Sequence, residues 1–62
     1  MKSILLLDDE DHFRERLARA FVGRGFEVYD APDVDKAVEL VRQRNPQRAV
    51  VDLKMAGKSG LE

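Results

Sequence analysis

The sequence contains no cysteine and no tryptophan, and its only histidine is His12. Without cysteine there is no disulfide framework and no thiolate metal site. A single histidine also excludes a histidine-rich zinc centre. An excess of one charge is missing too: 11 Lys and Arg stand against 12 Asp and Glu, a net charge of -1. Nucleic-acid binding usually shows as a basic excess, so no direct nucleic-acid contact is expected of this segment. Apolar runs are short. The longest, Ile4 to Leu7, falls far below the ~20 residues of a membrane span. Met1-Lys2-Ser3 passes straight into that run and then into acid, unlike a cleavable signal peptide. No repeat, low-complexity tract or interdomain linker interrupts the chain. The expectation is a cytoplasmic protein without membrane association.

The chain is 44% hydrophobic, too apolar for a disordered polar segment. It is also only 62 residues long. Below roughly 70–80 residues one core rarely supplies more than a few kcal/mol of net stability. Either the chain associates with something, or it forms part of a larger fold.

Ile4-Leu5-Leu6-Leu7 ends abruptly in Asp8-Asp9. Four consecutive apolar residues suit a central strand of a parallel sheet, covered on both faces. From about Asp11 to Gly23 the period becomes helical, with Phe13, Leu17, Ala20 and Phe21 on one face. Phe13 and Phe21 are expected in the core, and Arg14, Glu15 and Arg19 mostly off that face. Asp8, Asp9, Glu10 and Asp11 crowd the helix start, where the helix dipole favours negative charge. Gly23 or Gly25 supplies the left-handed residue that ends the helix. Phe26 to Tyr29 alternates as a second strand, and Ala31-Pro32-Asp33 reads as a loop with Asp33 as helix N-cap. Val34, Ala37, Val38 and Val41, widened by Leu40, form a second helical stripe that should stop near Asn45, before Pro46. Ala49-Val50-Val51 is a third strand ending at Asp52, and Lys54 to Gly60 is a loop. The order β-α-β-α-β with short connections is one half of a doubly wound parallel α/β sheet.

In such sheets ligands bind beyond the carboxyl ends of the strands. Asp8, Asp9 and Asp52 all stand there. With strand order 2-1-3, the first and third strands are neighbours and the acids converge. Three adjacent carboxylates repel one another, and a divalent cation removes that penalty. Mg²⁺ suits the position, since it takes oxygen ligands octahedrally through one or two carboxylates and keeps several waters. Taken singly, each acid reads as well as a turn or helix-capping residue. The combination is what points to chemistry. His12 reads as an exposed helix residue.

Leu5-Leu6-Leu7-Asp8-Asp9, Arg24-Gly25-Phe26 and Val50-Val51-Asp52-Leu53-Lys54-Met55, followed by Gly57 and Gly60, resemble the receiver domain of two-component response regulators. The resemblance runs the whole chain, residues 1–62, and covers about the first half of such a domain. It implies the flavodoxin-like receiver fold, here the first β-α-β-α-β half with strand order 2-1-3. It implies Asp52 as phosphoacceptor from a sensor histidine kinase. It further implies that Asp8, Asp9, Asp52 and the backbone carbonyl of Lys54 hold Mg²⁺. A phosphoacceptor of this kind is a signalling module, not an enzyme with a separate substrate. A carboxylate is a competent nucleophile for an aspartyl phosphate, and phosphoryl transfer is mostly positioning and charge neutralisation. Arg16, off the apolar stripe, is a candidate kinase contact, since the family docks through its first helix.

Two departures stand out. Ala56 replaces the usual proline after Met55. The family's phosphate-contacting hydroxyl and lysine, and its switch aromatic, lie on later strands and cannot be assigned within these 62 residues; Lys54 and Lys58 come too early. Ala49 to Lys54 and Leu17 to Ala20 are similar to redox-responsive transcriptional regulators, which implies a parent protein that regulates transcription. The competing reading is a non-catalytic half-domain that binds a partner or forms a homo-oligomer through its third strand, an exposed edge. A nucleotide-binding half-domain is disfavoured, because no glycine-rich phosphate loop follows the first strand.

Overall fold

In the computed structural model residues 2–52 are described. They form β1 (Ser3–Leu7), α1 (Asp11–Gly23), β2 (Glu27–Ala31), α2 (Val34–Arg44) and β3 (Arg48–Val51). The expected loop from Lys54 to Gly60 lies outside the described residues, and so does the Lys54 carbonyl. The three strands are parallel in the order β2-β1-β3. β1 is central, as its apolar run requires: Ile4, Leu5, Leu6 and Leu7 are all buried, Leu6 most deeply at 1% exposure. Alternate side chains of a strand face opposite ways. Leu5 and Leu7 pack with Ala31, Ala37, Tyr29 and Leu40, beneath α2. Ile4 and Leu6 serve the other face, where α1 lies. Right-handed crossovers from β1 out to β2 and back to β3 put the two helices on opposite faces.

The helix ends follow local chemistry. Asp33 caps α2, its carboxylate accepting the Lys36 N–H at 2.8 Å. Replacing Asp33 with alanine should cost about 1 kcal/mol, read as a lower urea midpoint with an unchanged spectrum of the folded state. Asn45 ends α2 in the left-handed conformation (φ 48°), just before Pro46. At the end of α1 the left-handed residue is Gly25 (φ 91°), while Gly23 is the last helical residue. The Gly25 and Phe26 N–H groups donate back to the carbonyls of Val22 and Phe21, both at 3.0 Å. The Phe26 ring meets the Phe21 ring edge-on at 5.1 Å. That double bond with its apolar clasp is the Schellman arrangement.

Several expectations need correction. β2 starts at Glu27 and not at Phe26, because Phe26 is committed to closing α1. It runs on through Ala31, because the register pairs Leu7 with Ala31 and Ala31 is fully buried. Phe13 is not core: it is 41% exposed. It borders a groove of about 190 Å³ that also touches Leu6, Leu17, Val50 and Val51, where α1 covers β1 but leaves β3 open among the described residues. Arg14, expected off the packed face, is buried instead. The α2 stripe also buries only part of itself, through Ala37 and Leu40, while Val34, Val38 and Val41 stay about half exposed.

Candidate metal centre

Adjacent parallel strands end together at the carboxyl edge of the sheet, and the ladder runs one residue past each strand. The Asp8 N–H donates to the Ala31 carbonyl at 3.2 Å, and the Asp52 N–H donates to the Leu7 carbonyl at 2.9 Å. Asp8 is thereby fixed to β2, and Asp52 to β1. Asp9 follows Asp8 at the turn into α1. One carboxylate oxygen from each of Asp8, Asp9 and Asp52 lies within 4.8 Å of the others. Asp8 and Asp52 are half-buried and Asp9 is exposed. The sheet thus brings together the three acids that the sequence pattern singled out.

The donor set is all oxygen and all anionic, which suits a hard divalent cation. Ligand oxygens opposite each other around an octahedral ion at 2.0–2.1 Å are about 4.2 Å apart. At most one pair among three ligands can be opposite, and adjacent ones lie about 2.9 Å apart. From within 4.8 Å of one another, the three carboxylates would close on a single ion by side-chain rotation or through a bridging water. One Asp8 oxygen is partly engaged already, because Oδ1 accepts the Glu10 N–H at 2.8 Å. This bond caps the turn that leads into α1, whose N-cap Glu10 uses no side-chain cap of its own. His12 and Arg16 are exposed on α1, as their positions in the helical pattern require.

Sequence reasoning missed Arg14. It sits on α1 at 8% exposure, the one buried charged residue among the described residues. Nη1 donates to the Asp8 carbonyl at 2.6 Å, Nε to Asp30 Oδ2 at 2.9 Å and Nη2 to Asp11 Oδ1 at 2.8 Å. The bond to Asp30, reinforced by Asp11, holds the guanidinium above its ordinary pKa despite burial. The nearest signal in the sequence was Asp30, an acid at the end of a strand with no assigned task.

Comparison with known proteins agrees with this architecture. Residues 4–62 match the model of the response regulator receiver domain. The chain is 43% identical over 61 residues to the acid tolerance regulatory protein ActR of Rhizobium meliloti (strain 1021), covering 98% of this chain and 31% of that protein. It is 43% identical over 61 residues to the photosynthetic apparatus regulatory protein RegA of Rhodobacter capsulatus, covering 98% and 33%. It is 34% identical over 61 residues to the phosphate regulon transcriptional regulatory protein PhoB of Pseudomonas aeruginosa, covering 98% and 27%. The chain therefore spans about a third of the length of these curated relatives. No solved structure matches it. No helix among the described residues is long and apolar enough to cross a membrane. With the family match running from the first strand to the last residue, and the 2-1-3 sheet gathering the acids at its carboxyl edge, the chain belongs to the response regulator receiver domain family.

Proposed function

We propose that this chain is a phosphoacceptor module in which Asp52 receives a phosphoryl group from the phosphohistidine of a sensor histidine kinase. The observation that carries the reading is the convergence of the Asp8, Asp9 and Asp52 carboxylates within 4.8 Å at one edge of the sheet. An Asp52 oxygen attacks phosphorus, the P–N bond to the imidazole breaks, and the imidazole leaves as the acyl phosphate forms. Mg²⁺, held by Asp8, Asp9, Asp52 and the Lys54 backbone carbonyl, supplies neutralisation of phosphoryl and carboxylate charge when bound. The backbone bond from Asp52 to Leu7 keeps the nucleophile at the strand end, where a phosphoryl donor can approach from solvent. The whole protein, by analogy with the regulators it resembles, couples this module to control of transcription.

The test is intact mass after incubation with Mg²⁺ and acetyl phosphate. One phosphoryl adduct, absent when Mg²⁺ is chelated, supports the reading; no adduct on a chain shown to be folded overturns it. Asp9→Ala should weaken Mg²⁺ binding at least about tenfold, as removal of a charged ligand does. Titration calorimetry checks this, and an unchanged affinity removes Asp9 from the ligand set.

A second reading is a half-domain that pairs with another copy along β3. It draws on Val50 and Val51, 41% and 44% exposed on a strand that is the sheet edge among the described residues. Sedimentation as a folded monomer at high concentration removes it.

A further inference from the structure

Arg14 is costly where it is. A guanidinium taken out of water is tolerated only when its donors are met, and the neighbouring arginines of α1, Arg16 and Arg19, remain exposed. All three of its bonds lead towards the acidic edge of the sheet. Asp30 is the penultimate residue of β2, Asp11 opens α1, and Asp8 follows the last residue of β1.

The bond to Asp8 has a particular geometric meaning. The Asp8 carbonyl belongs to the peptide unit that joins Asp8 to Asp9. Its direction, together with the rotation about the Asp9 N–Cα bond, sets the angle at which the Asp9 side chain leaves the backbone. The other side of Asp8 is held separately, by its own N–H on the Ala31 carbonyl at 3.2 Å. Asp8 is gripped on both sides, once by the sheet and once by Arg14. Asp9, which follows, is exposed.

We propose that Arg14 is a positioning residue for the acidic site. Its guanidinium, oriented by Asp30, holds the Asp8–Asp9 peptide so that the Asp9 carboxylate meets those of Asp8 and Asp52. This rests on the reading of the cluster as a divalent-cation site. Partners one step removed from a metal typically change its affinity 10- to 100-fold when lost. Lysine in place of Arg14 keeps the charge but is a single point donor. It cannot bond to Asp8, Asp30 and Asp11 with a fixed fork.

The experiment is a Mg²⁺ titration of the ¹⁵N-labelled full chain and of Arg14→Lys, followed by NMR. In the variant, half-saturation is expected at about tenfold higher Mg²⁺, with the same end-point shifts at saturation. Half-saturation within twofold of the parent chain, in a variant whose circular dichroism shows it folded, overturns the proposal. A lowered urea midpoint alone counts as that same negative result, since a merely structural arginine would give it. Should Arg14→Lys not fold, the unmodified chain decides. The Arg14 Nε–H signal and the Asp9 amide signal should move with one shared Mg²⁺ midpoint. An Arg14 signal that stays fixed while Asp9 titrates overturns the proposal. If neither signal responds to Mg²⁺, the cation reading itself fails, and this inference fails with it.

Discussion

Asp52→Asn is expected to remove all phosphoryl uptake while the sheet and both helices persist. Asparagine has the size of aspartate, and the backbone N–H of position 52 still reaches the Leu7 carbonyl, a bond of 2.9 Å that involves no side chain. The strand end therefore keeps its place. What is lost is the anionic oxygen that forms the acyl phosphate, and an amide is no substitute nucleophile at neutral pH. The amide oxygen can still face a cation, so Mg²⁺ binding should weaken without disappearing. Intact mass and circular dichroism on the same sample check both halves of the prediction. A covalent phosphoryl group on the variant would place the acceptor elsewhere.

The largest stability effect is expected at Leu6. It is 1% exposed in the middle of the central strand, and of the described side chains it is the large one that is fully buried. Leu6→Ala should cost about 2–5 kcal/mol, combining lost apolar transfer with the cavity left behind. A chain of this length holds roughly 3–9 kcal/mol in all. The substitution therefore takes most of the folding free energy, and the variant should be largely unfolded at modest urea. Val50→Ala is the informative contrast. Val50 pairs with Leu6 across the β1–β3 ladder yet is 41% exposed, so it should cost under about 1 kcal/mol. Urea titrations of the two variants check the difference, and equal losses would mean that β3 is covered in solution.

Much of the fold was legible because its signals are local. The run Ile4 to Leu7, stopped by two acids, can sit only where both faces are covered, and it forms the middle strand. Asp33 and Asn45–Pro46 mark the ends of α2 through their own backbone chemistry. The acidic trio was legible for a similar reason: acids directly after apolar strands must land at the carboxyl edge of a parallel sheet. The misses are all tertiary. Phe26 looks like the start of an alternating strand, and nothing within Phe26–Tyr29 reveals that its ring closes α1 against Phe21. Phe13 has the period of a core residue, but a helical period says which face is apolar and not whether β3 is covered beneath it. Arg14 is the clearest case. Charge and position gave it a solvated reading, whereas its main acceptor, Asp30, lies sixteen residues away on another element. Only the packing of α1 against the end of β2 brings them together.

The central claim, that Asp52 is the acceptor, is tested most directly by locating the phosphoryl group. The chain is incubated with Mg²⁺ and acetyl phosphate, treated with borohydride, which reduces an acyl phosphate to an alcohol, and digested for peptide mass analysis. The account predicts reduction of the side chain at position 52 to that of homoserine, only in samples that contained Mg²⁺. Modification at another carboxylate, or phosphate retained on His12 or Ser3 with Asp52 intact, would contradict it.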